Sequence, residues 1–412
     1  MALTVHAPGL VLTEHEFEVA LDPAVPGGEQ ITIFAREVAD PLGSDRPYLV
    51  YLQGGPGQEA PRPTRGPTAP SWLDRALRDY RVLMLDQRGT GRSAPIGALP
   101  GMTPQQQVER LALFRADAIV QDAEAIREQL GVERWSILGQ SFGGFCALHY
   151  LSVAADSLRE AYFTGGLPPV GRAVDDVYQA TYATMLERNR RYYLRYPGDR
   201  RRVLALLDMF DAGEVSLPNG TMTRRWFRQV GNVLGMSDGA ERLHYLLERD
   251  PLSPAFAWDL AAAMPFNGRN PLYAVIHEAS YADGSATHWS AERVMPEEFR
   301  EDPTLFTGEH VFPWNFEDDS DLAPLRAAAH ALADRDWPRL YDQDALRTCE
   351  VPCAAAVYSE DPYVERAFSE ETAAMVPGLR TWVTNEYEHN ALRADGARVL
   401  DRLIGMAQGT VP

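Results

Sequence analysis

The sequence predicts an α/β fold, a doubly wound and mostly parallel sheet with an inserted all-helical domain. Short continuous apolar runs at Tyr48–Leu52, Arg81–Leu85 and Trp135–Leu138 read as strands buried on both faces, and each leads into a glycine-punctuated loop. Between the second and third, Ile119, Ala123, Ile126 and Leu130 recur at helical spacing, and Gly131 supplies the stop. Residues from about 170 to 335 then hold helical stretches such as Val177 to Tyr193 and no convincing buried strand. Strand character returns at Pro352–Tyr358 and again at Thr381–Thr384. This pattern divides the chain into a first part of the sheet domain (1–169), a helical cap (170–335) and a second part of the sheet domain (336–412).

The length of 412 residues and a hydrophobic content of 45% suit a globular protein with a large core. A formal net charge of −19 repels phosphate over most of the surface, which argues against a nucleic-acid or anionic-membrane partner and mildly favours cationic substrates. Cys146, Cys349 and Cys353 make no disulfide framework, and the Cys-x3-Cys pair lacks the second ligand pair of a structural zinc site. A reduced, cytoplasmic setting is expected, with no metal and no cofactor. Met1 to His6 show no basic region followed by an apolar core, and no apolar run is long enough to span a bilayer. Oligomeric state is not legible.

In chain order, Phe17–Leu21 and Ile31–Ala35 read as two edge strands joined through a turn-rich segment from Asp22 to Gly28. The strand Tyr48–Leu52 ends in Gln53-Gly54-Gly55-Pro56-Gly57, a loop able to present bare backbone N–H groups as an oxyanion hole requires. The loop Asp86-Gln87-Arg88-Gly89-Thr90-Gly91-Arg92-Ser93 lacks the lysine-serine ending of a phosphate-binding loop and reads as structural support. Gly139-Gln140-Ser141-Phe142-Gly143-Gly144 follows a strand and opens the helical run Phe145–Leu151. Strand, glycine-flanked serine and helix make a nucleophile elbow, in which side chains at Gly139 or Gly143 would collide with the neighbouring strand and helix.

These three glycine motifs, in this order and spacing, closely resemble those of the prolyl aminopeptidases (proline iminopeptidases) with a large cap, members of the α/β-hydrolase superfamily. The family usually has His where this chain has Gln53, a departure that bears on loop support. The resemblance implies the α/β-hydrolase fold and a cofactor-independent serine exopeptidase that releases N-terminal proline from peptides through an acyl-enzyme. An esterase or amide hydrolase of the same fold with another acyl preference is the alternative, because fold and triad do not determine substrate.

An activated serine needs a base, and the base an orienting acid. Hydrolases of this fold carry them in the order serine, acid, histidine at strand ends. Ser141 is the expected nucleophile and His389, just past the last strand, the expected base. Asp361 is the preferred acid, because the resemblance places it immediately before Pro362 and its short side chain suits a rigid loop; Glu360 is the alternative. Backbone N–H groups of Phe142 and of Gly54 or Gly55 would hold the oxyanion.

An aminopeptidase must also bind a cationic amine, and Glu278 and Glu309 stand among aromatic and apolar residues where an unpaired carboxylate is costly. The resemblance implies that cap glutamates anchor that amine; the competing reading is that they cap helices or pair with Arg269 or Arg293. Phe227, Trp258, Phe266, Tyr281, Trp289 and Trp314 are candidates for a proline slot, of which two or three should touch substrate. Cys146 should pack the elbow helix on the sheet.

Overall fold

A computed structural model describes residues 3–25, 27–65 and 70–412. Met1 and Ala2 of the leader reading, and Pro26 inside the expected turn, lie outside the described residues. The strands in chain order are β1 (Leu3–Ala7), β2 (Leu10–Ala20), β3 (Gln30–Ala39), β4 (Tyr48–Leu52), β5 (Arg81–Leu85), β6 (Trp135–Gln140), β7 (Leu158–Thr164), β8 (Ser216–Leu217), β9 (Gly220–Thr221), β10 (Cys353–Tyr358) and β11 (Leu379–Thr384). Nine of them form one sheet in the order β1-β2-β3-β5-β4-β6-β7-β10-β11. Pairing is antiparallel from β1 to β5 and parallel from β5 through β11.

The opening hairpin is longer than its apolar residues suggest, with β2 and β3 paired from Val11↔Ala39 to Ala20↔Gln30. Its outer part carries charge in place of hydrophobic alternation. Arg36 binds Glu14 at 2.6 Å, and Arg92 binds Glu14 at 2.7 Å and Glu16 at 2.8 Å. Cross-strand ion pairs of this kind supply the side-chain contact that apolar pairs supply elsewhere, so a reading tuned to buried strands finds only the inner half.

Parallel strands β4, β6 and β10 are buried along almost their whole length, as expected of a sheet covered on both faces. The elbow helix Phe142–Val153 is buried at every residue but the last and lies against β4, β6 and β7 on one side and the helix Ala116–Gln129 on another. Cys146 within it is fully buried, and burial pushes its thiol far above the usual range, so it packs and does not react. Between β7 and β10 the regular structure is helical apart from the two-residue hairpin β8–β9 around Pro218-Asn219. No helix of the described residues is long and apolar enough to cross a membrane.

The Asp86–Ser93 loop supports the glycine loop after β4, with Gln87 Nε2 donating to the Gln53 carbonyl at 3.0 Å. Arg88 is fully buried and binds both carboxylate oxygens of Asp122 at 2.7 and 2.6 Å, while its remaining N–H groups donate to the carbonyls of Ala20, Leu21 and Leu113. Asp86 receives Arg62 at 2.7 and 2.8 Å and the N–H groups of Ala60 and Arg92. Replacing Asp122 by Ala strands the Arg88 cation in the core and should lower stability by about 3–5 kcal/mol, read as a fall in the urea midpoint at unchanged slope.

Candidate active site

The serine turn is forced by backbone packing. Ser141 adopts φ 52° and ψ −123°, a conformation disfavoured for a residue with a side chain. A methyl group on Gly143 would overlap the Leu52 carbonyl of β4, and one on Gly139 would overlap the Gly143 carbonyl. The turn closes only because these side chains are absent. The Ser141 N–H donates to the Thr164 carbonyl of β7 at 3.0 Å, which ties the elbow to the next strand. Leu52 and Gly139 are register partners, so β4 delivers its glycine loop beside the serine, and a Cβ on Gly54 would stand 3.0 Å from Ser141 Cβ and 3.6 Å from its Oγ. The first-turn N–H of Phe142, which opens the elbow helix, completes the set of expected oxyanion donors.

The adjacent loops bring the acid and the base together. Asp361 follows β10 and His389 follows β11; His389 Nδ1 lies 2.7 Å from Asp361 Oδ2, and both residues are buried. Asp361 Oδ1 accepts the N–H groups of Tyr363 at 2.9 Å and Val364 at 3.2 Å, which fixes the carboxylate plane. Glu360 instead directs its carboxylate to Arg191, away from the imidazole. Burial pulls the His389 pKa down, but the negative charges of Asp361 and Glu309 more than offset this and leave it raised.

The two cap glutamates differ. Glu278 is buried, and its oxygens accept the N–H groups of Ser290 at 3.2 Å and Ala291 at 2.9 Å at the start of the short helix Ser290–Arg293. Glu309 accepts a hydrogen bond from the Tyr273 hydroxyl and keeps part of its surface accessible. Burial pushes both carboxyls up to about 7, against the backbone N–H bonds at Glu278 and against His389 at Glu309. Among the described residues neither is ion-paired: Arg269 binds Glu59 and Arg293 binds Asp175.

Among the six aromatic candidates, Tyr281 packs edge-on against Phe145 of the elbow helix and against Tyr178, and Phe266 packs on Tyr273. Phe227 belongs to the cap core with Phe210 and Phe306, Trp289 packs on Phe316 and His330, and Trp314 stacks on Phe312. Trp258 is 65% exposed and lines no buried slot. An aromatic residue in a helix of the cap reads the same on either face until the packing is known.

The chain matches the α/β-hydrolase fold family over residues 47–202. It is 48% identical to a proline iminopeptidase of Aeromonas sobria, with 96% of each chain covered. The chain belongs to the proline iminopeptidase family of α/β-hydrolases. A proline iminopeptidase of Aspergillus aculeatus is 33% identical over 98% of this chain and 95% of its own. A probable proline iminopeptidase of Streptomyces coelicolor is 33% identical over 116 residues, 28% of this chain and 32% of its own.

Two features of this family member escape a reading by motif. Gln140 receives Thr164 Oγ1 at 2.6 Å and donates from Nε2 to the His389 carbonyl at 3.3 Å, linking the elbow to the histidine loop. Nothing in the local pattern marks it, since its partner is 249 residues away. Tyr273, His277 and Tyr281 are buried side by side, with ring centroids 5.6 and 5.7 Å apart, and Tyr273 is the partner of Glu309. Tyr281 is one of the six aromatic candidates, and the i, i+4, i+8 spacing is the signal that could have added Tyr273 and His277. Gly143→Ala should destabilise the protein by at least about 2 kcal/mol and abolish covalent labelling of Ser141 by a fluorophosphonate, checked by thermal melting and mass spectrometry.

Proposed function

We propose that this chain is a serine exopeptidase that removes proline from the free N-terminus of a peptide. The observation that carries the reading is Glu309, a carboxylate held by the Tyr273 hydroxyl in the buried cluster Tyr273–His277–Tyr281, from which Tyr281 donates at 3.2 Å to the carbonyl of Tyr363, the residue whose ring packs on His389. Full-length relatives named proline iminopeptidase support the choice of acyl group.

In this reading Ser141 Oγ attacks the carbonyl of the N-terminal residue while His389 takes its proton, and Asp361 holds the imidazole tautomer and stabilises its cation. The oxyanion is received by the N–H of Phe142 and that of Gly54 or Gly55. His389 returns the proton to the departing amine, and water then releases the acyl group by the same steps in reverse order. Glu309 anchors the substrate ammonium. Glu278, whose oxygens already accept two backbone N–H groups, supports from behind and adds negative potential. Residues 170–335 act as the cap and residues 1–169 with 336–412 as the sheet domain. The three free, buried cysteines fit a reducing, cytoplasmic compartment.

The test is steady-state hydrolysis of proline β-naphthylamide beside its alanine and N-acetyl-proline analogues. Free proline should be preferred by a factor on the order of 10² or more, and Ser141→Ala should lose a factor on the order of 10⁴ to 10⁶. Equal or faster cleavage of the N-blocked compound would instead establish an esterase or amidase.

The pH profile follows from two groups. His389 must be neutral to accept a proton, and its raised pKa moves the acid limb upward; Glu309 must be ionised to hold the ammonium, and burial sets its pKa at about 7. Both requirements fail as pH falls, so log kcat/KM should drop below about pH 7 with a slope approaching two. Glu309→Gln should reduce the slope to one and shift the remaining limb downward, because the anion that raises the His389 pKa is gone.

A further inference from the structure

The loops that carry the acid and the base are held from the cap. Arg188 lies on the long cap helix Val174–Arg195, and its guanidinium reaches two loops at once. Nη1 donates to Glu388 Oε1 at 2.8 Å, Nη2 to Glu388 Oε2 and to the Glu360 carbonyl, and Nε to that same carbonyl at 3.2 Å. Glu388 immediately precedes His389, and Glu360 immediately precedes Asp361. Other bonds to the histidine loop come from the same side. The His389 N–H donates to the Gly235 carbonyl at 3.1 Å, and Asn390 Oδ1 accepts the Ser237 N–H at 3.0 Å and its hydroxyl at 2.8 Å. From the sheet, Gln140 Nε2 reaches the His389 carbonyl at 3.3 Å.

A guanidinium presents its donors in a rigid plane, so a single fork sets the spacing between the Glu360 carbonyl and the Glu388 carboxylate. That spacing carries over to the residues one bond further on, Asp361 and His389. We propose that Arg188 is a positioning residue that fixes the acid against the base from the cap, so that seating the cap and assembling the triad are one event. The proposal rests on the reading of Ser141, His389 and Asp361 as the triad. Arg191, one turn along the same helix, binds the carboxylates of Glu187 and Glu360 and touches neither the Glu360 carbonyl nor Glu388, which makes it the matched control.

The experiment compares Arg188→Ala, Arg188→Lys and Arg191→Ala in the full chain by two readouts: the rate at which a fluorophosphonate labels Ser141, and kcat and KM for proline β-naphthylamide. Displacing catalytic groups by about 1 Å costs on the order of 10²-fold, so Arg188→Ala should lower kcat and the labelling rate by about 10- to 100-fold with KM within about twofold. Lysine keeps the charge without the fork and should recover little of the loss, whereas guanidinium added to the Ala variant should recover part of it. Arg191→Ala should stay within about twofold of wild type, the range of an exposed ion pair. A full rate in either Arg188 variant, a loss confined to KM, or an equal loss in Arg191→Ala would overturn the proposal. If Arg188→Ala does not fold, the Lys variant decides alone. His389→Ala separates the two levels, since undiminished labelling there would sink the triad reading itself.

Discussion

Ser141 is held at φ 52° and ψ −123° by backbone packed against it on every side, a conformation that costs about 1–3 kcal/mol. The β4 carbonyl of Leu52 occupies the space a Gly143 side chain would need, the Gly166 carbonyl does the same at Gly144, and the Thr164 carbonyl receives the serine N–H. Three neighbouring strands therefore meet at one turn, and none can shift without the others. The glycine loop after β4 lies beside the serine because Leu52 and Gly139 are register partners. Asp361 and His389 stand across the neighbouring strand ends because β7 separates β6 from β10. The precision of the serine turn is a property of the sheet, and the strain is sustained by the large core beneath it.

The helical segment between β7 and β10 stores electrostatic free energy. Glu278 and Glu309 ordinarily ionise near 4.5, and burial raises both to about 7. Between those pH values the folded state binds protons that the unfolded chain has released, so the stability these groups contribute below 4.5 is lost as pH rises toward 7. For each carboxyl the loss is about 3 kcal/mol. Any cation placed against these carboxylates would recover part of it. The net charge of −19 adds an attractive field for an ammonium at longer range.

The helical segment between β7 and β10 also holds the loops after β10 and β11. Gly235, Ser237 and Arg188 supply hydrogen bonds to the histidine loop or its neighbours, and Tyr363, two residues past Asp361, donates its hydroxyl to the Asn232 carbonyl. The Tyr363 ring in turn lies edge-on to the His389 imidazole with centroids 4.7 Å apart. The helical segment between β7 and β10 and the Asp361–His389 pair are thus joined by one set of contacts.

Sequence alone determined what depends on neighbours in the chain. Continuous apolar runs locate β4, β5, β6 and β10, and glycines flanking Ser141 mark a turn that no other residue could make. His389 is placed by being the last histidine, past the last strand. The outer half of the β2–β3 hairpin and the small hairpin β8–β9 were not legible, because cross-strand charges and two-residue pairings leave no hydrophobic period. Only the tertiary structure decided between groups alike in local pattern. It turned Asp361 toward His389 and Glu360 toward Arg191, engaged both oxygens of Glu278 while leaving Glu309 partly accessible, and set Trp258 on the surface. Arg188 and Glu388 are 200 residues apart and sit in charged stretches like many others. A residue type and its spacing report which helix or strand it occupies; which way its side chain points is set by contacts with segments that folding alone brings near.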